Sequence, residues 1–224
     1  MLKTGALTLS LHGNPLLHLP PLAVTPGEVL TLMGPSGCGK SSLLAALAGV
    51  LPGSLTGRGP FRLDGELWLG ERPLTTLPPQ QRQIGMLFQE DLLFAHLTVA
   101  ENLMFGMPAY LKGMAVRRAA ALAALGEVGL VDQADKLPGQ LSGGQKARIS
   151  LLRALLAEPR ALLLDEPFSR LDKPLRAAFR TLVFERIAMR QIPAILVTHD
   201  EDDAPGAILT LTTPCSDKET PDLD

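Results

Sequence analysis

The stretch from Gly27 to Val50, "GEVLTLMGPSGCGKSSLLAALAGV", decides what this chain folds into. An apolar run leads into a loop where Gly34, Gly37 and Gly39 recur, and leucines at helical spacing follow it (Leu43, Leu44 and Leu47). Gly34 to Ser41 fits G-x-x-x-x-G-K-S without a gap, and its setting between a strand and a helix is the one the motif requires. Glycines let backbone N–H groups wrap phosphate oxygens, and the positive end of the next helix, worth about half an elementary charge, faces the same anion. On this reading Gly34, Pro35, Ser36, Gly37, Cys38, Gly39, Lys40, Ser41 and Ser42 cradle the β- and γ-phosphates of a nucleotide. Lys40 neutralises them, and the Ser41 hydroxyl holds Mg²⁺.

A complement lies downstream. "ALLLDEP" (161–167) reads as a buried strand ending in two carboxylates, and "AILVTHD" (194–200) as a second one ending in His199. Continuous apolar runs of this kind are strands covered on both faces. Asp165 is expected to bind Mg²⁺, directly or through water, and Glu166 to polarise the attacking water. Neighbours on a strand point to opposite sides, so the two carboxylates are expected to differ in role. Gln89 closes another apolar run, "IGMLFQ". In an open parallel sheet ligands bind beyond the carboxyl ends of the strands, which puts Gln89 and His199 within reach of the γ-phosphate, Gln89 through water or Mg²⁺. His12, His18 and His96 carry no such context.

The rest of the chain reads outward from these strands. Residues 5–33 give short strands, the last of them buried. Residues 52–60, "PGSLTGRGP", are loop by composition. "FRLDGELWLGERPL" (61–74) alternates like a hairpin, with Asp64-Gly65 as its turn. Residues 90–140 are rich in Ala, Leu and Met and read as a helical insert; further helices follow Ser142 and Pro174. Strands alternating with helices predict a parallel α/β sheet with right-handed crossovers. Residues 212–224 read as a polar tail.

Composition excludes several classes. The 224 residues carry 21 Lys+Arg against 23 Asp+Glu, a net charge of −2, so no basic footprint for nucleic acid exists. Two cysteines, Cys38 and Cys215, make no disulfide framework and suit a reducing compartment. No apolar run approaches the roughly 20 residues a membrane span needs, nor is there a signal-peptide core at the start. If the protein works at a membrane, another chain crosses it.

One stretch has no chemistry of its own: "LSGGQ", Leu141 to Gln145. Ser142 caps a helix start, and Gly143-Gly144 leave backbone N–H groups bare, a second anion-binding surface far from the first in sequence. Such a surface suits the γ-phosphate site of a second copy in a symmetric head-to-tail pair.

Together these residues closely resemble the ATP-binding subunits of ABC transporters, over roughly residues 5–212. Gly34–Ser42 matches the Walker A loop, Gln89 the Q-loop, Leu141–Gln145 the signature, Leu162–Glu166 Walker B, Ser169–Asp172 the D-loop, and His199 the switch histidine. At finer grain, "GELWLGERPLTTLPPQQRQIGMLFQEDLLF" and "DEPFSRLDKPLRAAFR" are similar to the short YnjD-type subunits of bacterial importers, related to the thiamine, iron, sulfate and polyamine group.

The resemblance implies an α/β P-loop NTPase with a mixed, mainly parallel sheet, an N-terminal antiparallel β subdomain and an inserted α-helical subdomain. It implies one ATP-binding domain over 1–211 with the helical subdomain at 90–140, and no regulatory C-terminal domain. It implies Mg-dependent ATP hydrolysis between two copies, each nucleotide held by one Walker A loop and the opposing Leu141–Gln145, with Asp172 a further implied nucleotide-binding residue. Glu166, His199, Gln89 and Lys40 are the implied catalytic residues, and Ser41, Gln89 and Asp165 the implied metal ligands.

A separate permease met by "EDLLFAHLTVAENLMFG" (90–106), a periplasmic or lipid-anchored solute-binding protein, and a place on the cytoplasmic face of the bacterial inner membrane follow in the same way. An exporter or lipid-extraction complex is the competing reading, ahead of a non-transport ABC ATPase. Two departures stand out. "LSLHGNP" (9–15) holds no aromatic residue where the family stacks one on adenine, leaving Leu11 and His12, and Ser42 replaces the commoner Thr while keeping the hydroxyl.

Overall fold

A computed structural model describes residues 1–52 and 59–211. The loop expected over 52–60 lies mostly, and the tail over 212–224 wholly, outside the described residues. Four short strands open the chain: β1 (Leu2–Thr4), β2 (Leu7–Leu11), β3 (Asn14–Leu19) and β4 (Leu22–Val24). The buried β5 (Val29–Met33) leads into the glycine loop and α1 (Lys40–Ala48). Next come β6 (Phe61–Asp64), β7 (Leu67–Leu69), β8 (Arg72–Pro73), the single turn α2 (Pro79–Arg82) and β9 (Ile84–Leu87). The Ala/Leu/Met-rich region forms α3 (Val99–Gly106) and α4 (Met114–Glu127). Then α5 (Gly143–Leu156), β10 (Ala161–Asp165), α6 (Lys173–Met189), β11 (Ala194–Val197) and β12 (Ile208–Thr210) complete it.

Five strands form an all-parallel sheet in the order β12-β5-β11-β10-β9. Every residue of β10 and β11 is buried, which is why both run without a polar side chain until their ends. The pleat sorts them. Leu163 and Ile195 join a core with Leu43, Leu44 and Leu47 of α1; Leu162, Leu164 and Leu196 join another with α5 and α6. The first core also takes in Leu2, Leu9 and Leu67 from two antiparallel sheets, ordered β4-β1-β7-β8 and β3-β2-β6. Helix α1 thus lies between layers, which explains why it is apolar nearly all round. A third core joins α3 and α4 to Ile149 and Leu152 of α5.

The "FRLDGELWLGERPL" segment departs from the expected hairpin. β6 pairs with β2 while β7 pairs with β1 and β8, so Asp64-Gly65 carries the chain between two sheets and the hairpin is β7–β8. Period-two alternation reports a half-buried strand and is silent about its partner.

The largest fully buried side chain is charged. Arg82 threads under α1, and its Nη1 donates to Ala46 O (3.0 Å) and Leu47 O (2.5 Å). Nε donates to Leu77 O (2.9 Å) and Nη2 to Thr75 O (3.2 Å), so one guanidinium satisfies four carbonyls and fixes the far end of the helix that starts at Lys40. Gly49 must lack a side chain here: its φ is +79°, and a Cβ would lie 2.8 Å from Arg82 Nε. Replacing Arg82 by Leu strands these acceptors, and we expect a loss of about 3 kcal/mol in chemical denaturation. A loss under about 1 kcal/mol would mean that water takes over the guanidinium's role.

Candidate functional site

In a parallel sheet all carboxyl ends share one edge, so the residues following β5, β11, β10 and β9 are gathered there. These are Gly34–Ser41, His199, Asp165–Glu166 and Gln89. The loop after β5 turns tightly. Gly34 has φ +151° and approaches so closely that a Cβ would sit 2.5 Å from Leu211 O, beyond the edge strand β12. Pro35, Ser36 and Gly37 are exposed, whereas the Cys38 side chain is buried in the core, leaving only its backbone for the loop. Lys40 Nζ lies along the loop and donates to Gly34 O and Pro35 O, both at 2.8 Å. Leu16 of β3 lies 3.1 Å from where a side chain on Gly39 would begin, and His12 is at the exposed tip of the β2–β3 hairpin.

Asp165 is only 4% exposed, and its Oδ1 has no hydrogen-bond partner. Burial pushes its carboxyl above the usual range, against an opposing pull from the Ser41 hydroxyl and Lys40. An orphaned, buried carboxylate oxygen beside a serine hydroxyl is a hard-oxygen donor set that fits Mg²⁺. Among the described residues no cluster of three or more His, Cys, Asp or Glu could hold a metal.

Glu166 lies past the end of β10, and its backbone turns to φ +49°, a left-handed conformation costing a non-glycine residue about 1 kcal/mol. This backbone reversal, rather than strand pleat alone, separates the two carboxylates. Asp165 faces the loop, and Glu166 Oε1 meets His199 Nδ1 at 2.8 Å. The hydrogen bond to Glu166 and its charge raise the pKa of His199, whose ring is 71% exposed. Gln89 is exposed and lines a small cleft with Glu166 and Pro167.

Leu141–Gln145 stands apart: no hydrogen bond links it to the loop or to the carboxylates. Ser142 caps α5 in a reciprocal box, accepting from Gln145 N (3.3 Å) while its own N donates to Gln145 Oε1 (2.9 Å). Ser142 and Gly143 are exposed, and a side chain on Gly144 would begin 3.3 Å from Leu171 Cδ2. The signature therefore abuts the segment ending in Asp172, which caps α6 by accepting from Leu175 N (3.0 Å). Sequence reasoning missed Thr198, Asp200 and Asp203 around His199. The acidic run "DEDD" (200–203) reads as a solvated turn, yet Asp203 is 2% exposed.

This edge, with a phosphate-type loop, an orphaned carboxylate and a carboxylate–imidazole pair, defines a P-loop nucleotide hydrolase. Residues 18–169 match the family model described as ABC transporter, and the chain belongs to that family, as one of its ATP-hydrolysing, ATP-binding domains. It is 49% identical over 206 residues to the uncharacterized ABC transporter ATP-binding protein YnjD of Escherichia coli K12, covering 92% of each chain. It is 41% identical to the thiamine import ATP-binding protein ThiQ of the same organism, over 91% of this chain and 83% of that protein. The Fe(3+) ions import ATP-binding protein FbpC of Rhizobium etli is 39% identical over 82% of this chain, which spans 49% of that longer protein. Among solved structures, the dimeric ABC transporter cassette MJ0796 has a TM-score of 0.79 at 27% identity, covering 94% of each chain. The same cassette, dimeric in a post-hydrolysis state bound to ADP and Pi, gives 0.80 at 26% identity, covering 95% of this chain and 94% of that one.

Two outcomes follow from the charges. A carboxylate with a raised folded pKa costs stability wherever the unfolded chain is ionised, above pH about 4. Asp165→Asn is therefore expected to stabilise the nucleotide-free protein at neutral pH by on the order of 1 kcal/mol while weakening Mg²⁺-dependent nucleotide binding. A lower melting temperature would show that the charge is compensated. For His199 the sign is opposite: its pairing is fully present below pH about 6.5 and is lost as pH rises through the raised folded value. In Glu166→Gln the imidazole midpoint, followed by NMR, should fall toward 6.5; an unmoved midpoint would deny the pair.

Proposed function

We propose that this chain is the ATP-hydrolysing subunit of a bacterial importer, acting as a pair of identical subunits on a separate membrane permease. The observation that carries the reading is the division of the site. The loop, Asp165 and the Glu166–His199 pair share one sheet edge, while Leu141–Gln145, exposed at Ser142 and Gly143, makes no hydrogen bond to that edge among the described residues. A head-to-tail pair brings each signature onto the opposing nucleotide, and the dimeric cassette at TM-score 0.79 supports that assembly. Import, rather than export, is favoured by the similarity to thiamine and Fe(3+) import subunits. Residues 1–211 act as one ATP-binding domain, within which 90–140 form the helical subdomain.

The roles follow from the geometry. Backbone N–H groups of Gly34–Ser42 bind the phosphates, and Lys40 exchanges its two carbonyl partners for them. Ser41 and Asp165, with Gln89, would hold Mg²⁺, which neutralises charge on the β- and γ-phosphates. Glu166 orients and deprotonates the attacking water once His199 has turned from it to the γ-phosphate. Until then the imidazole occupies the base, so hydrolysis waits for the nucleotide. Ser142, Gly143, Gly144 and Gln145, positioned by Leu141, close over the opposing nucleotide, with Asp172 at the junction.

A groove of about 280 Å³ is lined by Phe88 and Phe94, from the segment after β9 that also carries Gln89, and by Phe105 of α3 and Arg153 of α5. Asn102 fastens its lip, accepting from Phe94 N (2.8 Å) and donating to Phe94 O (3.1 Å) and Leu97 O (3.0 Å). We assign it to the permease. No helix of the described residues is long and apolar enough to cross a membrane. In this reading the subunit is held at the cytoplasmic face through that permease, with a solute-binding protein on the other side.

Glu166→Gln tests the reading. Turnover should fall by on the order of 10²–10⁴ while ATP binding persists, and light scattering should show an ATP-dependent dimer. Affinity purification of that variant from native membranes should recover a polytopic permease; ribosomes or DNA-repair proteins in its place would overturn the transport reading. Undiminished turnover would remove Glu166 from the chemistry.

A further inference from the structure

The His199 side chain is 71% exposed, yet the residues on either side of it are fastened by hydrogen bonds. The hold comes from α6. Arg176 Nε donates to Asp203 Oδ1 at 3.0 Å, Nη2 donates to Asp203 Oδ2, and Nη2 also reaches Asp200 Oδ2 at 2.7 Å. Arg180 Nη1 adds a contact to Asp203 Oδ1 at 3.5 Å and donates to Asp202 O. Within the loop, the Thr198 hydroxyl donates to Asp203 Oδ2 (3.4 Å) and accepts from Asp200 N (3.1 Å). Asp203 is thus a nearly fully buried carboxylate whose oxygens are taken up by two arginines and a threonine, all from the elements that frame His199.

Arg176 stands in the first turn of α6, where its backbone N donates to Asp172 O (2.8 Å). Residue 172 caps that helix, and Leu171 before it lies against Gly144. The guanidinium therefore ties the loop bearing His199 to the helix end next to the surface offered to a second copy. A two-point pair onto a buried carboxylate transmits position because Asp203, 2% exposed, is costly to leave unpaired.

We infer that Arg176 is a positioning residue: through Asp203 and Asp200 it sets where His199 sits relative to Glu166, and so makes hydrolysis depend on the placement of the Leu171–Asp172 segment. This rests on the proposed role of His199 and adds to it. The pair does not touch nucleotide; it decides whether His199 can leave Glu166 and reach the phosphate.

The experiment is a double-mutant cycle on the purified protein: Arg176→Ala, Arg176→Lys, His199→Ala and both double variants. The readouts are kcat, KM for Mg-ATP, ATP affinity and melting temperature. Arg176→Ala should lose ten- to hundredfold in kcat, the scale of a misplaced catalytic group, with ATP affinity changed less than about twofold. Arg176→Lys keeps the charge but not the two-nitrogen fork, and should fall between. On the His199→Ala background neither substitution should cost further turnover. If Arg176→Ala fails to fold, the Arg176→Lys cycle alone decides the matter. Losses that add to that of His199→Ala, or that track melting temperature and ATP affinity together, reduce the pair to a structural one and overturn the inference while leaving the proposed function standing. Full activity in His199→Ala itself would take down both.

Discussion

A strand buried on both faces has nowhere to put a charge except its end, and β10 is such a strand. Flanked by β9 and β11 and packed between α1 on one side and α5 and α6 on the other, it is apolar until Asp165. The same holds for β11 until Thr198 and His199. Because the sheet is parallel, these ends meet at one edge. The strand order then decides the neighbours: β11 runs between the strand leading to the phosphate loop and the strand carrying the two carboxylates, so His199 is presented to both.

The electrostatics of that edge are tuned against stability. Asp165 keeps an acceptor without a donor, in surroundings that disfavour its charge. Glu166 is held in a left-handed backbone conformation. Neither serves the fold itself, and both accord with the proposed roles, Asp165 toward a cation and Glu166 toward a water. The arginines work the other way. Arg82 donates to four carbonyls and holds the far end of the phosphate-loop helix, and Arg176 fastens the histidine loop. Two well-satisfied guanidinium groups, both far from the reacting atoms in role, keep a poorly satisfied site in shape.

Much of this was legible in the residues. The phosphate loop, the buried strands and their polar ends are local patterns: glycines at fixed spacing, apolar runs, a carboxylate where the run stops. The capping box at Ser142 and Gln145 is equally local. Long-range pairing was not. Nothing in "FRLDGELWLGERPL" says that its two halves join different sheets, because alternation fixes which face is buried and leaves the partner strand open. Arg82 sits in a polar stretch, "PPQQRQ", that reads as surface, and Asp203 in an acidic run that reads as solvated. Buried charges resist prediction from pattern, since their partners come from elsewhere in the chain: Ala46 and Leu47 for Arg82, Arg176 and Arg180 for Asp203. The resemblance to a known family supplied what pattern could not, above all the separate permease; that Leu141–Gln145 suits a second copy was already readable from its bare backbone N–H groups.

The position of β5 also bears on how the protein is made. Its neighbours in the sheet are β11 and β12, the last strands among the described residues to leave the ribosome, while β5 and the loop that follows it are among the first segments to emerge. At roughly 5–20 residues per second, the nascent phosphate loop waits on the order of ten seconds for the strands that hold it in place. During that interval the antiparallel strands can pair with one another, but the carboxyl edge does not yet exist. Nucleotide capture is thereby a late event in biogenesis. The sheet that flanks the loop is completed only when β11 and β12 have been made.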